Sequence, residues 1–173
     1  MGGASLSVRF AEHPSGLGNY AVTAQLPDVI YHEGRRRKLM ATPLEAYFEQ
    51  GSQRPSLDHS HSALWRGYIG TWRLENEQLF LVHLRSAGAG SRLTLAMIFP
   101  EAKRRVFAAW FTGRLRIPEG RCLAALDGGF MSAHKRETLV EVTKGRTTAV
   151  RVLHLGTLPP ALWPAEVMGN GWG

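Results

Sequence analysis

Cysteine is nearly missing from this sequence: Cys122 is the only one in 173 residues. A lone cysteine forms no internal disulfide and builds no cysteine-based zinc site, so stability has to come from a buried core. Long apolar runs are missing too; none approaches the ~20 residues that a membrane-crossing helix needs. The opening Met1-Gly2-Gly3-Ala4-Ser5-Leu6 lacks the basic start and apolar stretch of a secretory signal. Leu6 also stands where N-myristoylation wants Ser or Thr. These features predict a reducing, cytoplasmic location and no membrane partner. Aspartate is scarce: Asp28, Asp58 and Asp127 each sit in a stretch that reads as loop or turn, and offer no carboxylate pair for acid–base work. No G-x-S-x-G elbow, H-E-x-x-H, P-loop or G-x-G-x-x-G is present. The expectation is therefore no cofactor, and a leaning away from an enzyme.

Hydrophobic residues make up 44% and charged residues 20%, which is a globular composition. A chain of this length is one domain by size and hides roughly 68–70% of its unfolded surface. The net charge is +7. An excess of this sign suits a polyanionic partner. Of the 21 basic side chains 17 are Arg and 4 are Lys, so a GC-rich coding bias explains the charge equally well.

The dominant hydrophobic period is two, which argues for strands. Leu6, Val8 and Phe10 alternate with polar neighbours, as do Tyr20, Val22, Ala24 and Leu26. Val29–His32 and Arg36–Met40 flank a Glu33-Gly34 turn and read as a hairpin. A short helix is expected over Pro43–Glu49, with Thr42 as cap and Glu45 closing a capping box. Its Leu44, Tyr47 and Phe48 share a side that should cover a sheet. Leu64–Leu74 and Leu79–Leu84 follow as strands around a turn at Glu75–Gln78, the second apolar on both faces and hence central. Leu93–Phe99 reads as another buried run, and Val106–Phe111 fits a short helix or a strand. Gly113–Ile117 places Leu115 and Ile117 opposite Arg114 and Arg116, before a turn at Pro118-Glu119-Gly120. A last hairpin joins Glu137–Thr143 to Thr147–Leu155 through Lys144-Gly145. The sum predicts a mostly β fold: an antiparallel barrel or sandwich of about ten short strands with one short helix. Residues 1–158 form the domain, and 159–173 a tail with Pro, Trp and Gly that lies along the body or frays.

Four groups of residues could carry chemistry. His59-Ser60-His61 with Asp58 lacks a third ligand at any diagnostic spacing, so no metal site is expected. His83 reads as a core histidine and Cys122 as a small buried hydrophobe. Three basic runs, Arg35-Arg36-Arg37-Lys38, Lys103-Arg104-Arg105 and His134-Lys135-Arg136, lie near expected turns. They would form a cationic rim if those turns cluster, or else solvated strand edges. The aromatic stretch Trp65, Arg66, Tyr68, Trp72, with Trp110 and Phe111, is either core or a patch of the residue types enriched at binding sites.

The block Trp65-Arg66-Gly67-Tyr68-Ile69-Gly70-Thr71-Trp72, and the block from Ala108 through Trp110-Phe111-Thr112-Gly113 and Leu115-Arg116-Ile117-Pro118 to Gly120, resemble a family of small uncharacterised bacterial proteins. The likeness spans about Val29 to Leu126. It implies bacterial origin and a β-rich domain, and no activity. The chain departs from the family at Ala109 and Arg114, where the resemblance implies acidic residues, and at Ala124-Ala125-Leu126, where it implies a polar, histidine-containing stretch.

These readings favour a non-enzymatic cytoplasmic domain that binds another protein, with an immunity-type partner as the model. The alternatives are a β-barrel that binds nucleic acid through its basic rim, and a small-molecule pocket or hydrolase site in a barrel mouth.

Overall fold

The computed structural model describes residues 25–56, 64–86, 93–125, 130 and 132–167. The expected strand Leu6–Phe10, most of that at Tyr20–Leu26, the His59/His61 pair and the aspartates Asp58 and Asp127 lie outside the described residues.

Eight strands follow in order: β1 Asp28–His32, β2 Arg35–Leu39, β3 Tyr68–Glu75, β4 Gln78–Ser86, β5 Val106–Phe107, β6 Gly113–Ala125, β7 Ser132–Thr143 and β8 Arg146–Leu153. They form one mixed sheet in the order β2-β1-β3-β4-β8-β7-β6, with β5 added to β4. Every pair is antiparallel except β1 with β3. Two short helices accompany the sheet, α1 Glu45–Glu49 and α2 Leu95–Ile98.

The expectation of a closed barrel or a sandwich is corrected: the sheet is single and does not close. Its end strands β2 and β6 approach each other, and the Met40 amide donates to the Arg116 carbonyl at 2.8 Å, but no ladder joins them. On the other side β4 meets β8 through the pair Gln78–Arg146 alone.

Local sequence accounts for the hairpins. Glu33-Gly34, Asn76-Glu77 and Lys144-Gly145 all hold positive φ at both central residues. That backbone matches the twist of the flanking strands and fixes their register. Gly145 is required twice over, since a Cβ there would stand 2.7 Å from the Ala108 carbonyl oxygen.

The inner face carries the core: Ile30, Leu39, Tyr68, Trp72, Leu79, Leu81, Leu115, Ile117 and Val140 are sealed from solvent, with Leu44 and Phe48 of the α1 region packed over them. A satellite core of Ala133, Leu155 and Val167, flanked by Leu153 and Trp163, forms where the segment after β8 docks on β7. Residues 159–167 of the expected tail thus lie along the body, through a 3-10 turn at Pro160–Leu162.

Several local expectations are corrected. Leu93–Phe99 is not a buried run: Thr94 is extended, and one helical turn follows, leaving Met97 exposed. A short apolar run does not separate the two conformations. The capping box does not form. Helix α1 begins at Glu45 after a helical Leu44, without a side-chain cap. The Glu45 carboxylate is engaged elsewhere, accepting from Tyr68 Oη at 2.6 Å and from Arg54. Pro118-Glu119-Gly120 is not a chain reversal but an irregularity inside β6. The register slips between Glu119 and Cys122, and Gly120 sits at φ +75°, as a bulge requires. Cys122 and His83 are exposed rather than buried. His83 stands opposite Thr71, just before the register shift in the β3–β4 ladder, which leaves it on the outer face. Arg116, on the face opposite Leu115 and Ile117, is buried as they are.

Candidate functional site

Strands β2, β1, β3 and β4 present two faces made from alternate residues. On the inner face the expected aromatic block closes around a carboxylate. Asp28 is fully buried and accepts from Arg66 Nη2 (3.0 Å), the Gly70 amide (3.0 Å) and Trp72 Nε1 (2.9 Å). Gly70 has to be glycine, because a Cβ would lie 2.7 Å from both Asp28 Oδ2 and Trp72 Nε1. Arg66 also donates to the Leu26 carbonyl, and its guanidinium lies 5.5 Å from the Tyr68 ring centre. Burial pushes the Asp28 carboxyl up to about 6, against the lowering by Arg66, Trp72 and Gly70. Burial likewise pushes the Tyr68 hydroxyl far up, reinforced by Asp28 and Glu45.

A second buried pair is organised the other way round. Arg116 donates to three backbone carbonyls, those of Val167 (2.8 Å), Phe130 (2.6 Å) and Ser132 (2.8 Å). Its Nε stands 3.8 Å from Glu137 Oε2, and these two atoms share no hydrogen bond. Glu137 accepts from the His134 amide at 2.9 Å. Burial holds the Arg116 guanidinium below the usual arginine range, with Glu137 opposing. This arginine ties the segment after β8 to the β6–β7 hairpin.

The outer face has the opposite character. The register places Arg36, Tyr31, Arg73 and Phe80 in one row across the four strands. Lys38, Val29, Thr71 and His83 form the next row, and Ile69 with Arg85 a third. Arg36, Lys38, Arg73, His83 and Arg85 are exposed. Tyr31 is 37% exposed, with the Arg73 guanidinium 5.7 Å from its ring centre. Arg36, Lys38, Arg73 and Arg85 join no ion pair among the described residues. Phe80 is covered by Arg105, 4.1 Å from its ring centre and paired with Glu75.

The candidate residues therefore scatter. Arg66, Tyr68 and Trp72 line the buried Asp28 site, and Phe111 is buried too. Trp65 is 65% exposed. Trp110 is half-buried, donating Nε1 to the Pro43 carbonyl and stacked on Phe99 at 5.2 Å. The basic runs do not meet as one rim. Arg36 and Lys38 stand on the outer face, while Arg37 and Arg136 converge on Glu119 at 3.2 and 2.7 Å. Lys135 lines a surface hollow of about 300 Å³ with His154 and Thr157. Arg105 borders another of about 430 Å³ with Tyr47, Phe99 and Phe107. Lys103 and Arg104 are exposed. Neither hollow is lined by Trp65, Arg66, Tyr68 or Trp110.

Sequence reasoning missed Arg73 and Arg85, because they join Arg36 only through the parallel β1–β3 pairing, which no local signal announces; Tyr31 stands opposite Arg36 across the β1–β2 hairpin, where the Glu33-Gly34 turn already set the register. It missed Asp28 and Glu137 because a buried carboxylate looks like any polar residue until its donors are placed. Among the described residues no three His, Cys, Asp or Glu side chains converge as metal ligands, and no helix is long and apolar enough to cross a membrane. No protein-family model matches the chain, and no curated protein or solved structure matches it either.

Proposed function

We propose that this chain is a non-catalytic binding domain for nucleic acid, with the outer face of β2-β1-β3-β4 as its contact surface. The observation that carries the reading is the set Arg36, Lys38, Arg73 and Arg85: four cations on one face of adjacent strands that join no ion pair among the described residues. Cations without carboxylate partners are available to phosphates, and neutralising phosphates releases counterions. The test is fluorescence anisotropy with labelled mixed-sequence RNA and DNA oligonucleotides at low salt. Binding is expected to weaken steeply with salt. The pair Arg36→Glu and Lys38→Glu should cost tenfold or more in affinity with an unchanged melting temperature. Absence of binding at low salt, or an unaffected charge-reversal variant, overturns the reading.

A second reading, a protein partner of the immunity type in the cytoplasm, is favoured by the β8 edge. Beyond Thr147 no strand among the described residues pairs with that edge, and Val150 and Val152 are 53% and 38% exposed. An added strand from a partner would satisfy that edge. The test is a pull-down from the native host after nuclease treatment. A partner held by the intact chain and lost with Val150→Lys supports it; one retained by that variant contradicts it.

A further inference from the structure

We infer that the nucleic acid held by this face is single-stranded, with a base stacked on Tyr31 between Arg36 and Arg73. The inference rests on the nucleic-acid reading above. Duplexes bury the faces of their bases, whereas a single strand offers each base to an aromatic ring. Tyr31 is the aromatic side chain that the outer face presents: Phe80, further along the same row, lies beneath Arg105. Its row reads cation, aromatic, cation, and the Arg73 guanidinium already lies within 5.7 Å of the ring centre. A guanidinium over one side of an aromatic ring makes a cation–π pair, and a base stacking on the other side of the ring completes a sandwich.

The neighbouring row continues the site. It stands two residues along β2, β1 and β3, ~6.5–7 Å away, and three along β4, where the register shifts. Lys38 at one end offers a phosphate contact, and Thr71 and His83 at the other offer hydrogen-bonding groups. Arg85 adds a cation in the third row. A strand crossing the rows would find a cation at each step while one base rests on Tyr31. Acidic groups stand at the margin: Glu75 is paired with Arg105, and Glu33 belongs to the β1–β2 turn. This arrangement predicts modest sequence preference, since stacking accepts any base.

The experiment compares a labelled oligothymidylate with a duplex of equal length at low salt, using the intact chain and the variants Tyr31→Phe and Tyr31→Ala. The single strand should bind about tenfold more tightly than the duplex. Tyr31→Phe should keep that preference within about twofold, and Tyr31→Ala should erase it, by the scale of one lost stacking contact. Melting curves confirm that both variants fold. A duplex bound as tightly as the single strand, or a preference that survives Tyr31→Ala, overturns the inference. If Arg36→Glu with Lys38→Glu still abolishes binding in that case, the nucleic-acid reading stands without the stacked base. If neither oligonucleotide binds the intact chain, both fall together.

Discussion

The two faces of β2-β1-β3-β4 treat charge in opposite ways, although they alternate residue by residue along the same strands. Inside, Asp28 is answered by three donors and Arg66 by a carboxylate and a carbonyl. Outside, Arg36, Lys38, Arg73 and Arg85 have no carboxylate partner among the described residues. A buried charge has to be paired and hydrogen-bonded locally, because removal from water costs several kcal/mol per ion. An exposed charge carries no such requirement and remains available to a partner. Inner substitutions should therefore act on folding, and outer ones on binding.

The largest effect is expected at Arg66. Arg66→Met strands the Asp28 carboxylate and should cost about 3–5 kcal/mol near neutral pH in a denaturant titration. A loss under 1 kcal/mol would mean that the pair is not the keystone of the inner face. Gly70→Ala comes next. Its Cβ meets two fixed atoms of the Asp28 site, so about 1–3 kcal/mol should be lost. Gly156→Ala makes the control, since its Cβ would meet only Lys135 side-chain carbons, which can swing aside. Equal costs at the two glycines would contradict the rigid packing assigned to Asp28.

The same site predicts a pH dependence. The folded-state pKa of Asp28 lies near 6, above its unfolded value of 3.8, so the stability from its protonated form is complete below 3.8 and disappears as pH rises through 6. Between pH 5 and 7.5 the intact chain should lose about 1–2 kcal/mol relative to Asp28→Asn, which cannot titrate. Parallel stability curves for the two proteins would refute the raised pKa. The Arg116 site tests a different dependence. Removing residues 159–173 takes away the Val167 carbonyl and exposes Ala133 and Leu155. That should cost about 1–3 kcal/mol and speed amide exchange in β7 near Ser132–Glu137, while β1 and β3 stay protected. Uniform loss of protection would show that the satellite core is not a separate unit.

Much of this was legible in the sequence. The β1–β2, β3–β4 and β7–β8 hairpins follow from period-two alternation broken by turn residues at Glu33-Gly34, Asn76-Glu77 and Lys144-Gly145. What stayed hidden was non-local. The parallel pairing of β1 with β3 brings Tyr31 to Arg73 from 42 positions away, and no hydrophobic pattern encodes that register. Alternation placed Tyr68 and Trp72 on one face but could not say which face is covered, so the Trp65–Trp72 block read equally well as patch or core. The Pro118 irregularity hid for the opposite reason: Pro-Glu-Gly is a turn signal, and only the long β6–β7 ladder absorbs it as a bulge.

The most direct test is one outer-face variant, Arg36→Gln with Arg73→Gln. Stability and the salt dependence of oligonucleotide binding are measured on the same preparation. Unfolding free energy should stay within about 0.5 kcal/mol of the intact chain, while the slope of log affinity against log salt should shallow by about 1.4 for a single strand, about 0.7 per lost contact. An unchanged slope, or a loss of stability comparable to that of Arg66→Met, would contradict the division of labour between the two faces.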